Sequence, residues 1–211
     1  MNLQLLASTT VQIVTHRVET SWEWYIVRAA GFVAAFLIVL LVLSGIGQVT
    51  GFTYRFIEPI KAWTIHKAMA IALVVSIALH IIFLLLDHYI KFTIPQVLIP
   101  FLSHYNNTTQ LFGLALGGLA ISFGVLAMYG VVILVASSLG WIDTHKRAWR
   151  KLHYISYLVA LLVFFHVIYS GTDVKYGMFR FAWLFIGCIV IIGIISRLLR
   201  SGLLRNNGDS D

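Results

Sequence analysis

The stretch of sequence that decides the fold is residues 63–86, WTIHKAMAIALVVSIALHIIFLLL, in which Lys67 is the one fully charged side chain. At 1.5 Å per residue, a helix of this length covers about 36 Å, which is enough to cross a hydrocarbon core of about 30 Å. A helix is the required state, because an open strand in lipid would leave backbone N–H and C=O groups unpaired. Two histidines, His66 and His80, lie within this predicted span.

Four further stretches have the same apolar character. They are Ala29 to Val49, Leu111 to Leu139, Trp149 to Tyr169 and Phe179 to Leu199. Hydrophobic residues make up 60% of the 211-residue chain and charged residues 11%, whereas soluble domains have about 45–50% and about 25%. This composition excludes an ordinary soluble enzyme. The sequence predicts an all-α integral membrane bundle of five transmembrane helices.

The distribution of basic residues predicts the orientation of the bundle. Five spans place the two termini on opposite sides, and the side that includes the C-terminus carries the larger share of the Lys and Arg residues. The positive-inside rule then places the N-terminus outside and the C-terminus in the cytoplasm. We expect the chain to lie in a bacterial inner (plasma) membrane.

The segments outside the spans are short. Residues 1–28 lack an uninterrupted apolar core, so we interpret them as an interfacial segment and not as a cleaved signal. Residues 29–200 form the predicted membrane domain, and 201–211 a cytoplasmic tail. The net charge of +7 comes from short basic patches between apolar runs, which favours membrane topology over nucleic-acid binding. The single cysteine, Cys188, excludes an intrachain disulfide and a thiolate metal cluster.

The connection from Asp87 to Gln110 is long and unusually apolar for a loop. It contains Pro95 and Pro100 among several aliphatic residues. Long loops in compact proteins are commonly functional. We therefore expect this connection, on the predicted outer side, to enter the interface and cover part of the bundle.

Four histidines form two pairs within the spans. His66 and His80 are fourteen residues apart on the second span, and His153 and His166 are thirteen apart on the fourth. Both spans cross the membrane in the same direction, so the pairs predict two levels about 20 Å apart, each with one histidine from each helix. Neutral imidazole is a good axial ligand of haem iron. The pattern predicts two stacked b-type haems.

Two points stay open at this stage. Intramembrane histidines also serve as hydrogen-bonding groups or as steps of an ion pathway, so a histidine-lined proton or metal-ion transporter without haem is the alternative. In addition, thirteen residues at 100° each leave His153 and His166 about 140° apart around an ideal helix. A first turn that departs from α geometry, a bent span, or haems that approach from different sides would each accommodate this offset.

One motif set is similar to that of a known family. His66-Lys67 with His80, residues 149–154 (WRKLHY) with His166, and the following Gly-Thr-Asp of residues 171–173 resemble the ferric reductase-like transmembrane domain. This domain is shared by NADPH oxidases, ferric reductases and the haem subunit of bacterial methionine sulfoxide reductase. The resemblance covers residues 29–200, and its most specific part is the pair of histidine spacings.

The resemblance implies an activity. His66 with His153 would hold an inner haem and His80 with His166 an outer haem, in the haem-binding subunit of a transmembrane oxidoreductase. Electrons would pass from the cytoplasmic side to an outer acceptor such as ferric ion, oxygen or a periplasmic redox protein. The sequence shows no Gly-rich phosphate-binding turn after a strand. We therefore expect no FAD or NADPH site on this chain, and a separate flavoprotein or a membrane quinol as donor.

Other polar residues are weaker candidates. Lys67, Arg150 and Lys151 adjoin the predicted inner ligands, where they would either pair with haem propionates or simply follow the positive-inside bias. Four residues predicted near the outer haem suit a transition-metal acceptor ion or are solvated loop groups; they are Asp87, His88, His104 and Asp173. Tyr154 and Tyr157 are expected to be packing residues.

Overall fold

The computed structural model of the chain describes residues 3–88, 90–105, 110–111 and 114–208, and the side chains of residues 22–88, 90–105 and 116–199. The helices are α1 (Leu3–Val49), α2 (Pro59–Leu86), α3 (Ile94–Leu98), α4 (Leu116–Gly140), α5 (Lys146–His153), α6 (Ile155–Ser170) and α7 (Gly177–Gly208). A 3₁₀ turn spans Thr53–Arg55, and two-residue strands β1 (Gln110–Leu111) and β2 (Leu114–Ala115) pair antiparallel.

Five helical segments are long and apolar enough to cross a membrane. They are Trp22–Val49, Pro59–Leu86, Leu116–Gly140, Lys146–Ser170 and Gly177–Leu199. The predicted all-α bundle with five spans is therefore confirmed, while the side on which each terminus lies stays a prediction. The third span begins at Leu116 and not at the predicted Leu111, because β1 and β2 occupy the residues before it.

The first helix is longer than the first predicted span. α1 runs without a break from Leu3 to Val49, so residue 28 is not a helix boundary. Among the residues whose side chains the structure describes, the membrane span on this helix is Trp22–Val49. The interfacial location of residues 1–28 stays a prediction.

The helices pack as two pairs. α1 packs along α2, and α4 packs along α6, while α7 contacts both α1 and α6. The two histidine-bearing helices, α2 and α6, make little direct backbone contact in the described structure. A buried apolar cluster joins the pairs in the middle of the bundle; it includes Val42, Leu73, Val131, Val159 and Val190. The packing leaves space between α2 and α6 on the side of this cluster that bears His80 and His166.

The outside of the bundle is apolar. Ile60, Phe185 and Ile192 expose 79%, 68% and 66% of their surface, a pattern that a water-soluble protein rarely sustains over a whole surface. In lipid such side chains carry no penalty. The exposed face therefore agrees with a bilayer environment.

The connection after α2 folds back over the bundle. The backbone N–H of Phe101 donates to Ser122 Oγ at 2.8 Å, and the Tyr129 hydroxyl donates to the Leu98 carbonyl at 2.8 Å. Both bonds tie the connection to α4. Phe92 and Val97 of the connection are themselves buried, so the described part of this loop covers part of the bundle, while its entry into the membrane interface stays a prediction.

Candidate cofactor site

The four span histidines lie on α2 and on the α5–α6 segment. His66 and His80 lie on α2, His153 is the last residue of α5, and His166 lies near the end of α6. Each is partly buried, with the ring directed into the bundle and not toward lipid, since each ring contacts a group on another element or on its own preceding turn.

The rings of His80 and His166 face one another at one end of the bundle. Their centroids are 6.5 Å apart and their planes are at 89°. An imidazole nitrogen binds a transition metal at about 2.0–2.1 Å and lies about 1.1 Å from its own ring centre, so two imidazoles on opposite sides of one metal have centroids about 6.3 Å apart. The observed separation fits a shared metal between the two rings.

The backbone fixes the orientation of these two rings. His80 Nδ1 lies 2.8 Å from the Val27 carbonyl on α1, and His166 Nδ1 lies 2.8 Å from the Ala120 carbonyl on α4. A carbonyl only accepts hydrogen bonds, so each Nδ1 must carry the proton and donate. This leaves the Nε2 lone pair available, which is the tautomer that a metal-binding histidine requires.

His66 is held in an equivalent way by a side chain. Its Nδ1 lies 2.8 Å from Ser44 Oγ, and the same hydroxyl donates to the Leu41 carbonyl at 3.1 Å. Since the serine has only one proton and gives it to Leu41, its oxygen accepts from His66 Nδ1–H. His66 therefore also presents Nε2 as the free lone pair.

His153 differs from the other three. Its Nδ1 is buried without a hydrogen-bond partner among the described residues, and the Trp149 ring packs against it with centroids 5.0 Å apart. The ring is thus positioned by an aromatic neighbour one turn earlier, and not by an acceptor on another helix. The His66–His153 pair is the less completely anchored of the two.

The helix is interrupted directly after His153. The Tyr154 N–H donates to Lys151 at 3.3 Å and the Tyr157 N–H donates to Tyr154 at 3.1 Å, which are i to i+3 bonds. A 3₁₀ turn winds about 120° per residue in place of about 100°, so each tightened residue moves His153 about 20° toward the face of His166. A departure from α geometry at His153, the first of the three accommodations considered above, is therefore present and removes part of the offset of about 140°.

Glycines on neighbouring helices provide the space for three of the rings. A Cβ added at Gly124 would lie 2.7 Å from His166 Nδ1 and Cε1, and one at Gly31 would lie 3.1 Å from the same atoms of His80. A Cβ at Gly45 would lie 3.7 Å from His66 Cε1. Gly31 and Gly45 are fourteen residues apart on α1, which is the spacing of His66 and His80 on the antiparallel α2. Sequence reasoning missed this matched spacing.

A large apolar cavity lies beside the His80–His166 pair. It holds about 1370 Å³ not filled by atoms, a volume that includes space open to the surroundings. Both rings line it, and the folded-back loop contributes Ile90, Phe92 and Val97. The cavity has apolar walls, two convergent imidazoles and a cover. This combination suits a flat apolar macrocycle whose metal the two imidazoles would bind.

The three basic residues predicted near the inner pair are exposed, and their pairing with haem propionates stays a prediction. Lys67 Nζ lies 5.4 Å above the Trp63 ring, and Arg150 and Lys151 are exposed on α5. A different cation, Arg197 on α7, lies among the tyrosines that follow His153. Sequence reasoning counted Arg197 only among the basic residues on the C-terminal side of the membrane. Its guanidinium lies over the rings of Tyr154 and Tyr157 at 4.8 Å and 5.4 Å.

The four residues predicted near an outer acceptor ion are held separately. Asp173 forms an ion pair with Arg28, and the buried Asp87 accepts the Ile90 N–H at 2.9 Å. His88 Nδ1 lies 3.5 Å from Glu23, and His104 is exposed. Within the described part of the chain, no group of three or more such side chains is arranged to share a metal. The acceptor site stays a prediction.

The ion pair between Arg28 and Asp173 joins α1 to the connection between α6 and α7. Arg28 Nε donates to Asp173 Oδ2 at 2.9 Å, and a second bond runs from Nη2 to Oδ1. Both residues line the large cavity. The two parallel hydrogen bonds of a bidentate pair fix the relative orientation of the two side chains in addition to their electrostatic attraction.

A double-mutant cycle tests this contact. We expect Arg28→Gln and Asp173→Asn each to lower the free energy of unfolding by about 1–3 kcal/mol, because each leaves a partly buried charge without its partner. The double variant should be less destabilised than the sum, with a coupling of about 0.5–3 kcal/mol. Reversible unfolding in detergent measures all three; additive effects would contradict a specific pair.

Comparison with protein families assigns the chain. The family model described as "Ferric reductase like transmembrane component" matches residues 30–165, a range that contains α2 and α4 in full together with most of α6. Neither the search of curated proteins nor the search of solved structures gave a match. Because the matched range covers more than half of the chain and includes three of the four span histidines, this chain belongs to the ferric reductase-like transmembrane family.

Proposed function

We propose that this chain is a membrane b-type cytochrome, the haem-binding subunit of a transmembrane oxidoreductase. Membership of the family supports a membrane redox function. The observation that carries the finer proposal is the His80–His166 pair, whose separation of 6.5 Å fits two axial ligands of one metal. Bound at the two histidine levels, haem supplies one-electron transfer without an open coordination position.

The proposal assigns two ligand pairs. His80 and His166 hold one haem, and His66 and His153 hold the other. Three of these imidazoles donate through Nδ1 to fixed oxygen atoms. Such partners orient a ligating ring and increase its basicity. The protein therefore fixes the tautomer and the orientation of these three rings before the cofactor binds.

The surrounding residues also control access of water. The cavity beside His80 and His166 is lined almost entirely by aliphatic and aromatic side chains, and the loop containing α3 is bonded over it. An apolar, covered site lowers the local dielectric constant and limits side reactions with water. Two charged residues of its lining, Arg28 and Asp173, neutralise one another.

The donor and the acceptor lie outside this chain in the proposal. Electrons enter from a separate flavoprotein or a membrane quinol at the side that the basic residues predict to be cytoplasmic. They leave to ferric ion, oxygen or a periplasmic redox protein at the His80–His166 end. Since the histidine pairs fill both axial positions, an acceptor must contact groups other than the metal.

Electron transfer across a sealed vesicle tests the proposal. The purified chain is reconstituted into vesicles that contain ferricyanide, and dithionite is added outside. We expect the internal ferricyanide to be reduced only in vesicles that contain the protein. Vesicles with the His80→Ala variant, at the same protein content, should be much slower.

Two outcomes would contradict the proposal. A haem-loaded protein that fails to reduce the internal ferricyanide would exclude electron conduction across the bilayer. A colourless protein that instead takes up protons or metal ions would favour the alternative, a histidine-lined transporter without haem.

A further inference from the structure

A second apolar cavity lies on the opposite side of α6 from α4, and none of the four span histidines lines it. It encloses about 650 Å³ not filled by atoms, between α1, α6 and α7. Its walls include Ala35 and Val39 from α1, Leu161 and Phe164 from α6, and Ile191 from α7. We call it the α7 slot.

One end of the slot is closed by aromatic rings. The Trp183 ring stacks on Phe164 with centroids 5.9 Å apart and planes at 16°, and its Nε1–H donates to the Phe164 carbonyl at 3.3 Å. Both residues line the slot. A chain that enters the slot from the other end would therefore stop at Trp183.

The other end carries a cation. Ile191 and Ile194 line the slot, and Arg197 follows three residues later on the same face of α7. Its guanidinium donates to the hydroxyl of Tyr157, which is itself a lining residue. The guanidinium of Arg197 therefore lies at the end of a cavity that is otherwise apolar.

The charge of Arg197 is not neutralised within the described part of the chain. No carboxylate there lies within ion-pair distance of its guanidinium, whereas Arg28 at the other end of the bundle is paired with Asp173. Tyrosine rings at 4.8 Å and 5.4 Å position the guanidinium without removing its charge. An intramembrane cation is costly without an anionic partner, and none of the described residues supplies one.

The dimensions of the slot indicate the shape of that partner. From Trp183 to Arg197 is fourteen residues of α7, or about 21 Å, compared with about 15 Å for half of a hydrocarbon core. One acyl chain of a leaflet therefore fits between the aromatic stop and the cation. Basic pockets between transmembrane helices are typical sites for anionic lipid head groups.

We propose that the α7 slot binds an anionic phospholipid, with one acyl chain along Tyr157 to Trp183 and the phosphate on Arg197. The lipid fills the space between α1, α6 and α7 and neutralises Arg197. None of the four span histidines lines the slot, so this proposal does not rest on haem binding.

Lipid retention by the full chain tests this proposal. The purified protein is equilibrated with vesicles of phosphatidylglycerol or of phosphatidylcholine, and bound lipid is measured by native mass spectrometry. We expect the wild type to retain phosphatidylglycerol in preference to phosphatidylcholine, and Arg197→Gln to lower that retention about tenfold because the charge-assisted bond is lost. Arg147→Gln, at an exposed position on α5, is the matched control and should retain lipid like the wild type.

A second variant keeps the test decisive if Arg197→Gln fails to fold. Ile194→Trp fills the slot and leaves the cation in place, and it should lower retention of phosphatidylglycerol. Equal retention by wild type and Ile194→Trp would overturn the proposal, as would equal binding of the two lipids or full replacement of phosphatidylglycerol by inorganic phosphate.

Haem content is measured in the same samples to separate the two proposals. We expect Arg197→Gln to lose lipid while its haem content stays near that of the wild type. If the variant instead loses haem and keeps phosphatidylglycerol, Arg197 serves the cofactor at His66 and His153, and the lipid proposal is wrong. A haem-free wild type that still retains phosphatidylglycerol would contradict the proposed function and support the lipid site.

Discussion

Replacing His80 or His166 with alanine should remove one of the two haems from the purified chain and leave the other bound. In the proposal both rings are ligands of the same haem, because their centroids are only 6.5 Å apart. Losing one axial ligand leaves the metal with half of its protein attachment. The pyridine haemochrome assay, normalised to protein, should fall from two haems per chain to one.

Two exposed histidines outside the pairs provide the control variants. His88 and His104 lie on the same connection near this end of the bundle, and both are exposed. His88→Ala and His104→Ala should therefore keep two haems per chain. A His80→Ala variant that also keeps two, or a His166→Ala variant that loses both while folded, would contradict the pairing.

Replacing Gly124 with alanine should have the second largest effect. The new Cβ would lie 2.7 Å from His166 Nδ1 and Cε1, closer than real Cβ contacts allow, so the ring must shift. The bond to the Ala120 carbonyl would be lost with it. Loss of such a supporting partner lowers metal affinity by about 10–100-fold, so the affinity for the outer haem should fall by about that factor.

A graded series makes this prediction specific. The Cβ contact is 2.7 Å at Gly124, 3.1 Å at Gly31 and 3.7 Å at Gly45, and a Cβ at Gly140 meets nothing within 4 Å. Haem affinity, measured by titration of the haem-depleted protein, should fall most in Gly124→Ala, less in Gly31→Ala and little in Gly45→Ala. Gly140→Ala should bind haem like the wild type. A loss that does not follow this order would show that the glycines do not make room for the rings.

Much of the fold could be predicted from hydropathy alone. Long apolar runs such as residues 63–86 can only be helices in lipid, and all five predicted runs are membrane-length helices in the structure. Their ends were harder to place. Gln110–Leu111 and Leu114–Ala115 pair as short strands although three of these four residues are apolar, because apolar character alone does not separate a span from a loop.

The histidines were also recognisable, since a polar side chain in a span is costly and rarely without a role. Their supporting groups were not. Val27 and Ala120 act through backbone carbonyls, which every residue possesses. The break after His153 contains no proline or glycine, so nothing in the local sequence marked it.

Contacts between residues far apart in the sequence could not be predicted from local sequence patterns. Arg28 and Asp173 are 145 residues apart, and neither position shows a periodicity that links them. Arg197 was included among the basic residues that set topology, but its place between two tyrosines depends on how α7 packs on α6. The fourteen-residue spacing of Gly31 and Gly45 is the one missed feature that the sequence does display.

The haem stoichiometry of the full-length chain, purified in mild detergent, tests the central claim most directly. We expect the pyridine haemochrome assay to give two b-type haems per chain, with a reduced-minus-oxidised spectrum typical of six-coordinate b haem. A well-folded protein that binds no haem when it is supplied, or that saturates at one, would contradict two histidine clamps between α2 and the α5–α6 segment.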